Sequence, residues 1–256
     1  MFIEVTFRIY VLILLFEINF VLNGVVMFGE KPEIPEYLSF STAPLSKIFE
    51  KRCNSYKYFW FLALLYYVAE NKTKISFRDM AKRMIAIAWY PSAYCLLRLG
   101  DPTRENLTSV IQQIKSLIPS NDNWHDDLSI QEAENLIEKI RSSINKKALD
   151  GLIDHLVLEV PYRFLSPWIH QPTRNYAKVR EDSRQLKNNC LYSIQGIGRE
   201  QFIVINPQWI DFFKTNFNIL EQFGYWNLLQ FLHSQNMNDP SILKKNNKAN
   251  RKKKRA

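Results

Sequence analysis

The sequence predicts a mainly α fold, a multi-helix orthogonal bundle with one small β-hairpin near residues 190–205. Three observations carry this. Ser76 with Asp79, and Ser129 with Glu132, are N-terminal helix signals, and each opens a segment whose apolar residues recur at helical spacing. Only 7 glycines occur in 256 residues, too few for a turn-rich β-sandwich. One place alone sets two short runs of β-formers around a glycine-containing turn.

Residues 29–44 carry Pro32, Pro35 and Pro44 and read as an extended lead-in. Ser55–Glu70 is almost wholly apolar and aromatic, from Tyr56 to Tyr67. It is too short and too impure for a membrane span, so it predicts a helix buried on most faces. The helix from Ser76 places Phe77, Met80, Met84, Ile87 and Ala88 on one stripe. Arg78, Lys82 and Arg83 lie towards the other side, and Trp89-Tyr90-Pro91 is its expected end. Asp101-Pro102 opens a helix to about Leu117. The Ser129 helix carries Ile130, Ala133, Leu136, Ile137, Ile140 and Ile144, and another is expected over 147–158. Pro161 and Pro167 bracket the aromatic segment Tyr162–Leu165.

Cys190–Ile194 and Gln201–Ile205 flank Gly196 and Gly198 and form the predicted hairpin. Asn206-Pro207 begins a helix with Trp209, Ile210, Phe212 and Phe213. A last helix is expected over 219–234.

Three regions follow: an apolar extension at 1–26, a helical domain with the hairpin at 27–243, and a basic disordered tail at 244–256. The extension has three open readings. It is a mis-assigned start upstream of Met27, a membrane or signal segment using residues 9–28, or a packed helix; Glu17 at mid-span disfavours insertion. The tail holds eight of the nine net positive charges and no acid, so the rest of the chain is close to neutral. Such a block stays solvated and contacts phosphate without reading sequence. Cys53, Cys95 and Cys190 are too few and too scattered for a disulfide framework, which favours a reducing, cytoplasmic setting; membrane association is the alternative.

No P-loop, GxGxxG or HExxH occurs. The four histidines lack metal-ligand spacing, so no metal site and no catalytic residue is assigned. Asp154-His155 is a pairing used by small metal-dependent nucleases, but that chemistry needs a strand on each side. Here the pair falls in a helical segment and reads as a partly exposed helical pair. Arg78, Lys82 and Arg83 form a candidate phosphate-binding patch, with a solvated helix face as the competing reading. Arg163, between Tyr162 and Phe164, is a buried structural cation or a functional one. Lys252, Lys253, Lys254 and Arg255 complete the candidate nucleic-acid contacts.

Three blocks carry a family resemblance. They are Tyr58–Leu62 with Ile75–Met80 and Met84–Pro91; Val160–Trp168; and Asn218–Phe223 with Trp226–Leu232. Together they resemble the helical N-terminal region of a bacterial group of HNH endonucleases, over residues 27–243. The resemblance implies a DNA-engaging or regulatory region, non-catalytic by itself, from a defence or mobile-element system. The nuclease module, with its divalent metal, is expected beyond this region, and the basic ending reads as a truncation point. The competing functions are a nucleic-acid-binding module acting through the tail, and a membrane-anchored helical protein. The sequence does not set the oligomeric state.

Overall fold

A computed structural model describes residues 31–50, 54–101, 107–118, 124–143, 145–169 and 175–236. The extension at 1–26, the tail at 244–256, Cys53, Pro102 and Ile144 lie outside these residues. Over the described residues the chain is mainly helical, with a small antiparallel sheet.

The organising element is helix α2 (Tyr56–Ala69), which follows a short helix α1 (Ala43–Lys47). Every residue of α2 from Tyr58 to Val68 is buried. A helix apolar on all sides has no face for water, so other elements must enclose it. Helices α3 (Phe77–Trp89), α7 (Val160–Arg163), α9 (Pro207–Thr215) and α10 (Phe217–Asn236) do so. The helix expected over 55–70, buried on most faces, is therefore present, with Ala69 and Glu70 exposed at its end.

Both predicted caps are present. Ser76 Oγ accepts from the Asp79 amide at 3.0 Å, and its hydroxyl donates to the Asp79 carboxylate at 2.6 Å. At the start of α5 (Ile130–Arg141) the box is reciprocal: Ser129 Oγ accepts from Glu132 N at 3.1 Å, and Ser129 N donates to Glu132 Oε2 at 2.7 Å. Helix α4 (Leu107–Ser116) buries Leu107, Val110, Ile111 and Ile114, and α6 (Lys146–Leu156) buries Leu149, Ile153 and Leu156. Helices α4, α5 and α6 all pack on α3.

The α-helix ends at Trp89, within the expected stop at Trp89-Tyr90-Pro91. The chain continues through one π turn, Tyr90–Tyr94, closed by the Cys95 amide donating to Tyr90 O at 3.0 Å. The wider turn accommodates a proline, which has no amide to contribute and would crowd a regular α turn.

The hairpin is present, as β2 (Tyr192–Gln195) and β3 (Phe202–Ile205), but it is part of a three-stranded sheet. Strand β1 (Lys74–Ser76) adds to its far edge in the order β1-β3-β2, pairing Ile75 with Ile203. Ile75, Tyr192, Ile194, Ile203 and Ile205 are buried and line one face against the helices. A short helix α8 (Tyr176–Asp182) covers the β2 edge: Ser183 Oγ accepts from Ile194 N at 3.0 Å, and Arg184 Nε donates to Ile194 O at 3.0 Å. Helices α1 and α8 have no counterpart in the sequence expectation.

The hairpin turn holds Gly196 at φ +77° and Gly198 at φ +57°. A Cβ on Gly196 would strike the Glu200 carbonyl, whereas one on Gly198 meets open space. Gly198→Ala is therefore expected to cost about 1 kcal/mol, for the left-handed backbone alone. Gly196→Ala should cost at least twice that, as read from chemical denaturation midpoints.

Candidate functional site

The three α3 cations named from the sequence come together with acids from neighbouring helices. Arg78 lies against α6, where its Nε and Nη2 donate to Asp154 Oδ1 at 3.1 Å each; Nη1 stands 3.6 Å from Asp150 Oδ2. One turn on, Lys82 donates to Glu138 of α5 at 2.8 Å and stands 3.8 Å from Asp79. Arg83 is the most enclosed, with 7% of its side chain exposed. Its Nε donates to Glu134 of α5 at 2.6 Å, and its Nη1 to Glu70, which follows α2, at 2.7 Å. Its guanidinium also stacks over the Tyr67 ring at 4.4 Å. The solvated-face reading is thereby corrected, because all three cations sit at packed helix seams with acids opposite.

These partners set the protonation. Burial works to lower the Arg83 pKa, but the hydrogen bonds to Glu70 and Glu134 outweigh it and hold the guanidinium charged. Burial works to raise Glu70, yet hydrogen bonds from Arg83 and Lys72 bring its carboxyl below the ordinary value. The Tyr67 phenol is pushed up by burial, against the pull of Arg83.

Asp154 is helical, as expected, and its second oxygen accepts from the exposed Arg199 at 2.9 Å. The Asp154-His155 pair therefore has neither the strands nor the open carboxylate of a metal-nuclease site. Among the described residues no group of three His, Cys, Asp or Glu converges on a point suited to a metal ion. Arg163 is not buried: 53% of its side chain is exposed, and it pairs with Glu159 one turn back at 2.8 Å. Lys252, Lys253, Lys254 and Arg255 lie outside the described residues.

Cys95 and Cys190 are buried. Burial pushes the Cys190 thiol up to about 12, which keeps it protonated at neutral pH.

The carboxylates that engage α3 were missed by sequence reasoning, although a signal exists. Arg78 and Lys82, Glu134 and Glu138, and Asp150 and Asp154 are three like-charged i,i+4 pairs. On an isolated helix each pair repels, so each asks for opposite charge from another element.

Comparison with protein-family models, curated proteins and solved structures yields no match. Among the described residues no helix is long and apolar enough to cross a membrane.

Arg78→Ala removes two hydrogen bonds from half-buried Asp154 and leaves Asp150, 13% exposed, with Arg141 alone at 3.7 Å, and is expected to cost about 2 kcal/mol of stability. Lys82→Ala, whose partner Glu138 is 44% exposed, should cost less than about 1 kcal/mol. Denaturant titration of the two variants measures both. The Glu70 contribution is present above the ordinary glutamate pKa and is lost as the pH falls through the lowered one. Glu70→Gln should therefore flatten the acid limb of the wild-type stability profile.

Proposed function

We propose that the chain is the helical, non-catalytic region of an HNH-type endonuclease, and that it engages DNA through residues 244–256 rather than through α3. The charge distribution is the observation that carries this reading. The α3 cations are matched by acids, whereas the eight cations of 244–256 have no acid among them. DNA binding is driven by release of counterions from phosphate, which requires cations that are not already neutralised.

The three resembling blocks form one contiguous core. Trp60 contacts Phe77 at 6.2 Å between ring centroids, Phe77 contacts Tyr162 at 6.1 Å, and Tyr58 contacts Phe231 at 5.2 Å. Tyr192 Oη donates to Pro161 O at 2.6 Å, which holds the Val160–Trp168 block against the sheet. On this reading the setting is the bacterial cytoplasm, in a defence or mobile-element system. A divalent metal belongs to the nuclease module, and the chain itself leaves DNA uncut.

Fluorescence anisotropy with a short DNA duplex tests the role of 244–256. Deleting these residues should weaken binding and flatten the dependence of log Kd on log salt by about 0.9 for each phosphate that the tail neutralises. An unchanged affinity and slope would remove the tail from the account.

A further inference from the structure

Helix α8 lies along the outer edge of β2, and two arginines reach across to that edge. Arg180 Nη1 donates to Gly196 O at 3.3 Å, and Arg184 Nε donates to Ile194 O at 3.0 Å. Both acceptors are backbone carbonyls, one in the strand and one in the turn that follows it. They are two residues apart, so the chain spaces the two anchoring points by about 6–7 Å. Arg184 is exposed and Arg180 half-buried, so both reach solvent.

Other arginines are used differently. Arg78, Arg83, Arg141, Arg163 and Arg199 each meet a carboxylate. Among the described residues, Arg180 and Arg184 meet none. The acids nearest to them do not change this. Glu181 and Glu200 are exposed and form no ion pair among the described residues, and the Asp182 carboxylate accepts from Gln185 at 3.3 Å.

A carbonyl satisfies one N–H but brings no net charge, so both guanidiniums keep their full positive charge. Each has five N–H donors, and one carbonyl bond leaves four for another acceptor. The same bond holds the group in place, so less side-chain freedom is lost when a ligand arrives. Two such forks, fixed side by side at the spacing of alternate carbonyls, suit a ligand that offers successive phosphates.

We propose that Arg180 and Arg184 form a two-point phosphate grip on the β2 edge, which holds the DNA backbone against the folded domain in addition to the contact made by 244–256. The grip rests on the reading that this chain engages DNA. It gives the folded domain a part that a run of cations does not supply: phosphate contacts made from a fixed edge set the orientation of a duplex. Neither arginine reads bases through such contacts, so the grip is indifferent to sequence.

The test is fluorescence anisotropy of the full chain with a short DNA duplex over a range of salt, for Arg180→Gln/Arg184→Gln and for Arg180→Lys/Arg184→Lys. The glutamine pair should raise Kd about tenfold or more and lower the slope of log Kd against log salt by about 1.8, that is about 0.9 for each phosphate given up. The lysine pair keeps both charges and should keep the wild-type slope, with a smaller loss of affinity from the missing forks. An unchanged slope in the glutamine pair, with deletion of 244–256 still weakening binding, would overturn the grip and leave the contact through 244–256 standing. An equal loss of slope in both pairs would also overturn it, because the cause would then be a disturbed sheet edge and not the charge. If neither the glutamine pair nor the deletion changes binding, the DNA reading itself falls and the grip with it.

Discussion

The guanidinium of Arg83 sits where α3 passes between the end of α2 and the face of α5, and both carboxylates that neutralise it come from outside its own helix. Removing such a cation from water is costly, and the cost is offset only when hydrogen bonds satisfy its protons on all sides. Glu134 and Glu70 each take one of its N–H groups with a charged acceptor, and the Tyr67 ring covers its face. The arrangement fixes three elements at once. If α3 turned about its axis, Arg83 would lose Glu134, and Lys82 and Arg78 would lose their acids on α5 and α6. The apolar stripe of α3 sets which side meets α2, and the ion pairs set its rotation and its neighbours.

Around that junction the fold solves a second problem, the enclosure of α2. Its residues leave no polar face, so helices alone would have to wrap it completely. The small sheet contributes on one side: Tyr192 of β2 stands 6.1 Å from Trp60 and 6.2 Å from Phe164 between ring centroids. Strand β1 leads directly into α3, because Ser76 is both its last residue and the cap of the helix. The sheet therefore fixes where α3 begins, and the charged seam fixes how it lies.

Much of the helical content was legible because caps and periodicity are local. Ser76, Ser129 and Asn206 each mark a start that the structure keeps, and the burial of Tyr58–Val68 follows from composition. Strand β1 was not legible: three residues carry no pattern, and its partner Phe202–Ile205 lies more than a hundred residues away. Helix α8 escaped notice because Val179 is its one buried residue, so it has no apolar stripe. At the candidate site the cations were named, but their partners were not. Asp154 reads as half of a partly exposed helical pair, and Asp150 attracts no reading, until α6 is set against α3. The like-charged i,i+4 pairs on three helices are the trace that this pairing leaves in the sequence.

The functional reading rests on the same balance of charge. A cation held by two carboxylates at a helix seam serves the fold, and on the proposed reading it is the acid-free segment at 244–256 that meets phosphate. The central claim is that Arg83 is a structural pin, and a double-mutant cycle between Arg83 and Glu134 tests it most directly. Arg83→Met and Glu134→Leu should each cost about 3 kcal/mol or more, because each strands a buried charge. The double variant, which strands less charge, should recover at least about 2 kcal/mol relative to their sum. Additive losses, or singles with wild-type stability, would contradict the account.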